Sequence, residues 1–350
     1  MKIAIDLTAL YGRRHTGVEL YAIDLYRALL KTGHTIIPIF HVENKLDQNE
    51  SAIIIPKSNR FIIENIKLTG LIKGIMPDIA LFPIFPPPLD IYDKGVKIVP
   101  TLHDFAFIEF KDTLSWKARL YLIPKCNRML QKSHGIITIS ETTKKKLLNV
   151  TDIPIWNLGE NIASEYAQTI EYKTDSLSKW GLTKDNYIIS VSTIEPRKNL
   201  RYLLELFKTK PLAPNQKLVL VGRKGWGKDN KLRDLIESYD DKLIFTEYVS
   251  LEELKSLYHY AKAFALLSLD EGFGRTPFEA VACGCKKIIL SDIAIFRETF
   301  DGNATFLPLN DLKKASEMLD LKDLTFISDD FSIPFNVIEE RLEHFLSDIK

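Results

Sequence analysis

Short runs of Ile and Val alternate along almost the whole chain with longer stretches in which apolar residues recur every three or four positions. The first pattern suits strands buried on both faces and the second suits crossover helices, so parallel sheets of the α/β class are expected. In the first half, strands are expected at 3–7, 35–40, 79–82, 96–102 and 135–139. A helix is expected over 18–31, with Val18, Ala22, Leu25 and Leu29 on one face. Thr16-Gly17-Val18-Glu19 fits a capping box at its start, and Gly33 follows its last turn. Residues 83–88 hold four prolines and read as a loop, because proline cannot donate to a sheet.

The pattern breaks at a polar stretch over 169–184 and then restarts, with strands expected at 187–192, 217–221, 242–246, 263–269 and 286–290. Ser250-Leu251-Glu252-Glu253 is a second capping box. The tail is amphipathic, with Val337, Ile338, Leu342, Phe345 and Leu346 apolar. Two tandem Rossmann-like domains follow, 1–168 and 169–334, facing a cleft at the carboxyl ends of their strands, with a helix at 335–350 returning to the first domain.

Composition narrows the function. Among 350 residues, 47 Lys and Arg face 46 Asp and Glu, a net charge of +1 that argues against disorder and against a bulk nucleic-acid binder. No apolar run nears the roughly 18 residues a membrane-spanning helix needs, and the apolar stretch after Met1 is too short for a signal peptide. A cytoplasmic protein is expected. Cys126, Cys283 and Cys285 are an odd number with Cys-Gly-Cys spacing, which suits neither a zinc site nor a CxxC redox pair, and they read as reduced and buried.

The stretch Leu269-Asp270-Glu271-Gly272-Phe273-Gly274-Arg275-Thr276-Pro277-Phe278-Glu279 puts one carboxylate after an expected strand and a second in the first turn of the next helix. Carboxylates accept hydrogen bonds from vicinal hydroxyls, and glycines let backbone amides approach a phosphate at a helix N-terminus. A sugar linked to a nucleotide would suit both, although a solvated loop with a helix-capping glutamate has the same spelling. Glu195-Pro196-Arg197-Lys198-Asn199 adds two adjacent cations at another strand end, a planar fork and a point charge that together can neutralise a diphosphate.

With Glu271 and Glu279 separated by seven residues around Gly-Phe-Gly, and with the Arg-Lys element, the chain resembles the retaining glycosyltransferases of family 4, which have the two-domain GT-B fold. The resemblance extends through Val249 to Ala261, Ala282-Cys283-Gly284-Cys285 and Ser291-Asp292. In the first half it takes in Thr16-Gly17, His103-Asp104 and Ile137-Thr138-Ile139-Ser140, and in all it covers about four-fifths of the chain. It implies that Glu271 contacts the donor sugar and acts in catalysis with His103, and that Glu279 holds the ribose. Arg197 and Lys198 would hold the diphosphate with Gly17, Gly272, Phe273, Gly274 and Thr276, while Tyr248 and Val249 would hold the base. Thr16 and Asp104 would lie on the acceptor side. The implied activity moves a hexose such as mannose, glucose or rhamnose from a nucleotide-sugar to a glycan or lipid-linked saccharide in bacterial surface polysaccharide synthesis, with no cofactor and no metal.

The chain departs from the family pattern twice. Thr16-Gly17 stands where Gly-Gly is usual, and Arg275-Thr276 where Leu-Pro or Leu-Val often follows Gly-Phe-Gly. Two other functional classes fit parts of the sequence. Gly222 to Lys228 matches the phosphate-binding GxxxxGK of ATPases, but Asp229 replaces the Ser or Thr that should ligate magnesium. An inactive scaffold with the same fold is the other, opposed by the intact Glu271, Glu279, Arg197 and Lys198. No Asp-x-Asp metal motif occurs. The stretch 111–134 carries Lys117, Arg119, Lys125, Arg128 and Lys132 beside Trp116, Leu120 and Tyr121, with Pro124 expected to interrupt its helix. It reads either as a solvated basic face or as a contact with the inner face of the membrane.

Overall fold

The structure is a computed structural model describing residues 1–10, 16–41, 51–56, 58–92, 95–109, 116–167, 172–222, 230–239 and 241–350. It divides into two compact units, Met1–Asn161 with Asn336–Lys350, and Ile162–Phe335.

The first unit is built on seven parallel strands: β1 (Lys2–Leu7), β2 (Thr35–His41), β3 (Ile53–Ile55), β4 (Ile79–Phe82), β5 (Lys97–Leu102), β6 (Ile136–Thr138) and β7 (Ile155–Asn157). Their order is β3-β2-β1-β4-β5-β6-β7, so the winding reverses between β1 and β4. Loops that leave the carboxyl ends of such a neighbouring pair diverge to opposite faces of the sheet and leave room for a ligand. Helix α1 (Gly17–Leu30) follows β1, and the Glu19 Oε2 accepts the Thr16 N–H at 2.6 Å, one half of the expected capping box.

Helix α2 (Trp116–Lys132) runs on through Pro124 without interruption, contrary to the expectation above. A proline removes one N–H bond to the carbonyl four residues back, here that of Leu120. Leu120 and Pro124 both lie on the exposed side of α2, where water can satisfy that carbonyl.

In the second unit six parallel strands, β8 (Tyr187–Val191), β9 (Lys217–Val221), β10 (Leu243–Glu247), β11 (Ala263–Leu266), β12 (Ile288–Ser291) and β13 (Thr305–Leu307), are ordered β10-β9-β8-β11-β12-β13. Its core gathers Ile188, Leu203, Leu218, Ala265, Ile289 and Leu307, all 1% exposed or less. The winding reverses between β8 and β11, so the segments after these two strands share a switch point. Helix α3 (Arg275–Ala282) follows β11.

The last helix, α4 (Val337–Asp348), belongs to the first unit, where it packs on α1. Ile338, Leu342, Phe345 and Leu346 are its buried face, and the ring of Phe345 meets that of Trp156 edge-on at 5.2 Å. The Asn161 carboxamide fastens its start, donating to Glu339 at 3.0 Å and accepting the Ile338 N–H at 3.1 Å. Among the described residues no helix is long and apolar enough to cross a membrane. The three cysteines are buried and unbridged, as expected.

Candidate functional site

The segments leaving β8 and β11 meet at the switch point of the second unit. After β8 the chain forms a short 3₁₀ turn, Pro196–Lys198, closed by Asn199 in the left-handed conformation at φ 51°. Asn199 donates to the Leu267 carbonyl at 3.2 Å, and the Leu269 N–H donates to the Arg197 carbonyl at 2.8 Å. The two segments are therefore stitched together by their backbones before any charge is considered.

Glu271 lies at the centre. Its Oε1 accepts from Lys198 Nζ at 2.7 Å and from Ser268 Oγ at 2.7 Å, and its Oε2 accepts from Arg197 Nη1 at 2.8 Å. Arg197 also donates to the Asp270 carbonyl at 2.9 Å and to Glu195 at 3.0 Å. Only 6% of the Glu271 side chain is exposed, against 13% for Arg197 and 16% for Lys198. Burial alone would raise the Glu271 carboxyl, but Lys198 and then Arg197 outweigh it and hold the group at about 2. Two cations and two carboxylates make this buried cluster neutral as a set.

The sequence-based reading anticipated Arg197, Lys198 and Glu271, but not Ser268 or Glu195 as their partners. The signal for Ser268 was a lone hydroxyl at the end of an apolar run. Its carbonyl is tied in turn, accepting from Ser291 Oγ at the end of β12 at 2.7 Å.

Gly272, Phe273 and Gly274 form the turn into α3. Gly274 sits at φ 85°, where only glycine is unstrained, and a Cβ there would lie 2.6 Å from the Phe296 ring. Phe273 stacks on Phe278 with ring centroids 5.2 Å apart. The first-turn amides of a helix have no acceptor within its own ladder. Those of Arg275 and Thr276 are donors of this kind, whereas Pro277 has no N–H to offer.

Because Gly274 is the N-cap, Glu279 falls in the second turn of α3, one turn later than expected. It is buried, and Arg275 Nε lies 3.6 Å from its Oε1. Tyr166 is close by: its phenol is raised above the ordinary tyrosine value first by burial and next by Glu279. Neither the Arg275 nor the Tyr166 neighbourhood of Glu279 was foreseen. Tyr248 follows β10 with its side chain 56% exposed, and Val249 after it is buried.

The remaining candidates belong to the first unit. His103 directly follows β5, and its Nε2 lies 2.7 Å from the carbonyl of Pro83, which directly follows β4. A carbonyl can only accept, so Nε2 carries a hydrogen, and whenever the ring is uncharged Nδ1 is the acceptor. The ring meets Tyr21 of α1 edge-on at 5.0 Å. Asp104 accepts the Ala106 N–H at 3.0 Å and so starts the short helix Ala106–Glu109. Thr16 and Gly17 form the start of α1, beyond the switch-point strand β1. The GxxxxGK-like stretch, Gly222 to Lys228, lies outside the described residues apart from Gly222.

Comparison with known proteins gives these groups a context. Residues 173–319 match the model of the glycosyl transferases group 1, and residues 15–156 that of glycosyltransferase family 4. The O-antigen chain mannosyltransferase B of Escherichia coli is 25% identical over 329 residues, 86% of this chain and 85% of that protein. The serotype-specific mannosyltransferase WbdA of Escherichia coli is 31% identical over 166 residues, 44% of this chain, and the match spans only 20% of that relative's length. The crystal structure of Anabaena HepE in complex with UDP and glucose has the same fold, with a TM-score of 0.72 over 99% of this chain and 100% of that one at 15% identity.

Proposed function

The chain belongs to the group 1 glycosyltransferases, and from that premise we propose that it is a retaining, metal-independent hexosyltransferase. Its donor is a nucleotide-sugar and its acceptor a hydroxyl of a glycan or lipid-linked saccharide in surface polysaccharide synthesis. Mannose is the favoured sugar, since O-antigen mannosyltransferases are among the relatives. The observation that carries the reading is the buried junction of Arg197 and Lys198 with Glu271 at the switch point.

Breaking the anomeric bond develops positive charge on the sugar and negative charge on the departing diphosphate. Cations fixed in advance at the diphosphate lower that barrier without reorganising during the step. Arg197 and Lys198 are held in this way by backbone stitching and by Glu271. The amides of Arg275 and Thr276 at the start of α3 add donors for phosphate oxygens. Glu279 suits the vicinal hydroxyls of ribose. The Nδ1 acceptor of His103 suits a sugar hydroxyl, and the departing phosphate oxygen can take the acceptor's proton, so no protein nucleophile is required.

A thermal-shift panel of GDP, UDP, dTDP, ADP and ATP, each with and without magnesium, tests the reading on wild type and Glu279→Ala. Ligand binding to the native state raises the melting temperature by mass action. One diphosphate that acts without metal and acts less on the variant supports the transferase and identifies its nucleotide. A shift with ATP and magnesium alone, indifferent to the substitution, overturns it in favour of an ATPase.

A further inference from the structure

Four of the most exposed large apolar side chains of the first unit lie on two helical segments that touch. Phe61 and Ile66, in the helical stretch 60–75, are 58% and 63% exposed, and Trp116 and Leu120 of α2 are 70% and 71% exposed. Tyr121 joins the segments: its ring lies 6.0 Å from that of Phe61, and its hydroxyl oxygen accepts from Asn65 at 3.2 Å. Lys125, buried beneath, donates to the same oxygen at 2.8 Å. Single exposed apolar residues are ordinary on a soluble protein, whereas several on one fastened pair of helices form a patch.

The charge of the patch is equally lopsided. Among the described side chains of 60–75 and 116–132, Lys67, Lys73, Lys117, Arg119, Arg128 and Lys132 are at least partly exposed and no carboxylate accompanies them, while the whole chain is balanced to +1. Lys117 Nζ lies 5.6 Å from the centre of the Trp116 ring, so a cation borders the most prominent aromatic. A symmetric contact between two copies would set this excess of positive charge against itself. Exposed aromatic and aliphatic side chains on segments rich in cations instead suit the boundary between anionic headgroups and acyl chains.

We propose that this surface rests on an anionic lipid bilayer, with Phe61, Ile66, Trp116 and Leu120 at the acyl boundary and Lys117 among the headgroups. The proposal stands on the first unit alone and does not depend on which donor is used; it would bring the protein to an acceptor presented by a membrane. Full-length protein is sedimented with sucrose-loaded vesicles of phosphatidylcholine, with and without phosphatidylglycerol. Binding is expected only with the anionic lipid and falls as salt rises. Lys117→Glu lowers it about fivefold or more, and Trp116→Ser with Leu120→Ser lowers it at least about tenfold. All three positions are exposed, so the melting temperatures stay at the wild-type value. Absent binding, equal binding to neutral vesicles, or variants that bind like wild type overturn the proposal. A concentration-dependent dimer that disappears in the Trp116 and Leu120 variant, without vesicle binding, overturns it in favour of a second copy.

Discussion

Lys198 Nζ lies 2.7 Å from Glu271 Oε1, so a cation proposed for the donor diphosphate is engaged by a carboxylate of its own chain. Arg197 is engaged in the same way at 2.8 Å. An incoming diphosphate therefore enters a cluster that is electrically complete, and Glu271 must share its cations or turn toward the sugar.

Replacing Glu271 by glutamine should separate these two roles. Lys198 loses its carboxylate partner and Arg197 one of its two, which destabilises the protein by on the order of 3 kcal/mol. Calorimetry is expected to find nucleoside diphosphate bound more tightly than by wild type, while transfer falls by about a hundredfold or more. Weaker binding in the variant would mean that the carboxylate does not compete for the cations.

The same carboxyl predicts an acid limit. Its folded value of about 2 lies below the ordinary 4.5, so its contribution to stability is fully present above pH 4.5 and is lost as pH falls toward 2. The contribution is on the order of 3 kcal/mol. Melting temperatures of wild type and Glu271→Gln should converge across that window, and parallel curves would remove Glu271 as the cause.

Lys198→Ala and Arg197→Ala should weaken nucleoside diphosphate by about ten- to a hundredfold and nucleoside monophosphate much less. A loss equal for both ligands would show that the cations do not meet the second phosphate. Because these cations are proposed to do the work of a metal, transfer should persist in EDTA, and its complete loss on chelation would reject the metal-free mechanism.

At Gly274 the backbone lies at φ 85° and the Phe296 ring leaves no space for a methyl group. Gly274→Ala should cost about 1–3 kcal/mol and misdirect the amides at the start of α3. A normal melting temperature together with normal diphosphate affinity would contradict this account.

How much of this was legible in the chain depends on distance along it. Glu271 and Glu279 share one turn and helix, and Arg197 and Lys198 are adjacent, so their spacing showed without a structure. Ser268 and Glu195 were hidden because their importance lies in what they face, and nothing local distinguishes a partnered hydroxyl from a solvated one. The strands β3, β7 and β13 have three residues each, too few for a periodic signal. Pro124 misled because the rule against helical proline assumes a carbonyl cut off from water, and that of Leu120 is not. Glu279 moved to the second turn because Gly274, through its left-handed backbone, caps the helix early and makes Arg275 its first residue.

The placement of α4 sets an order on assembly during synthesis. The second unit is complete once residue 335 has emerged, but the first lacks α4 until the last fifteen residues follow. Until then α1 leaves the ribosome without α4, whose buried face carries Ile338, Leu342 and Phe345. The amino-terminal unit, although translated first, is the last to be finished, and its uncovered apolar surface is what a chaperone would have to shield in the interval.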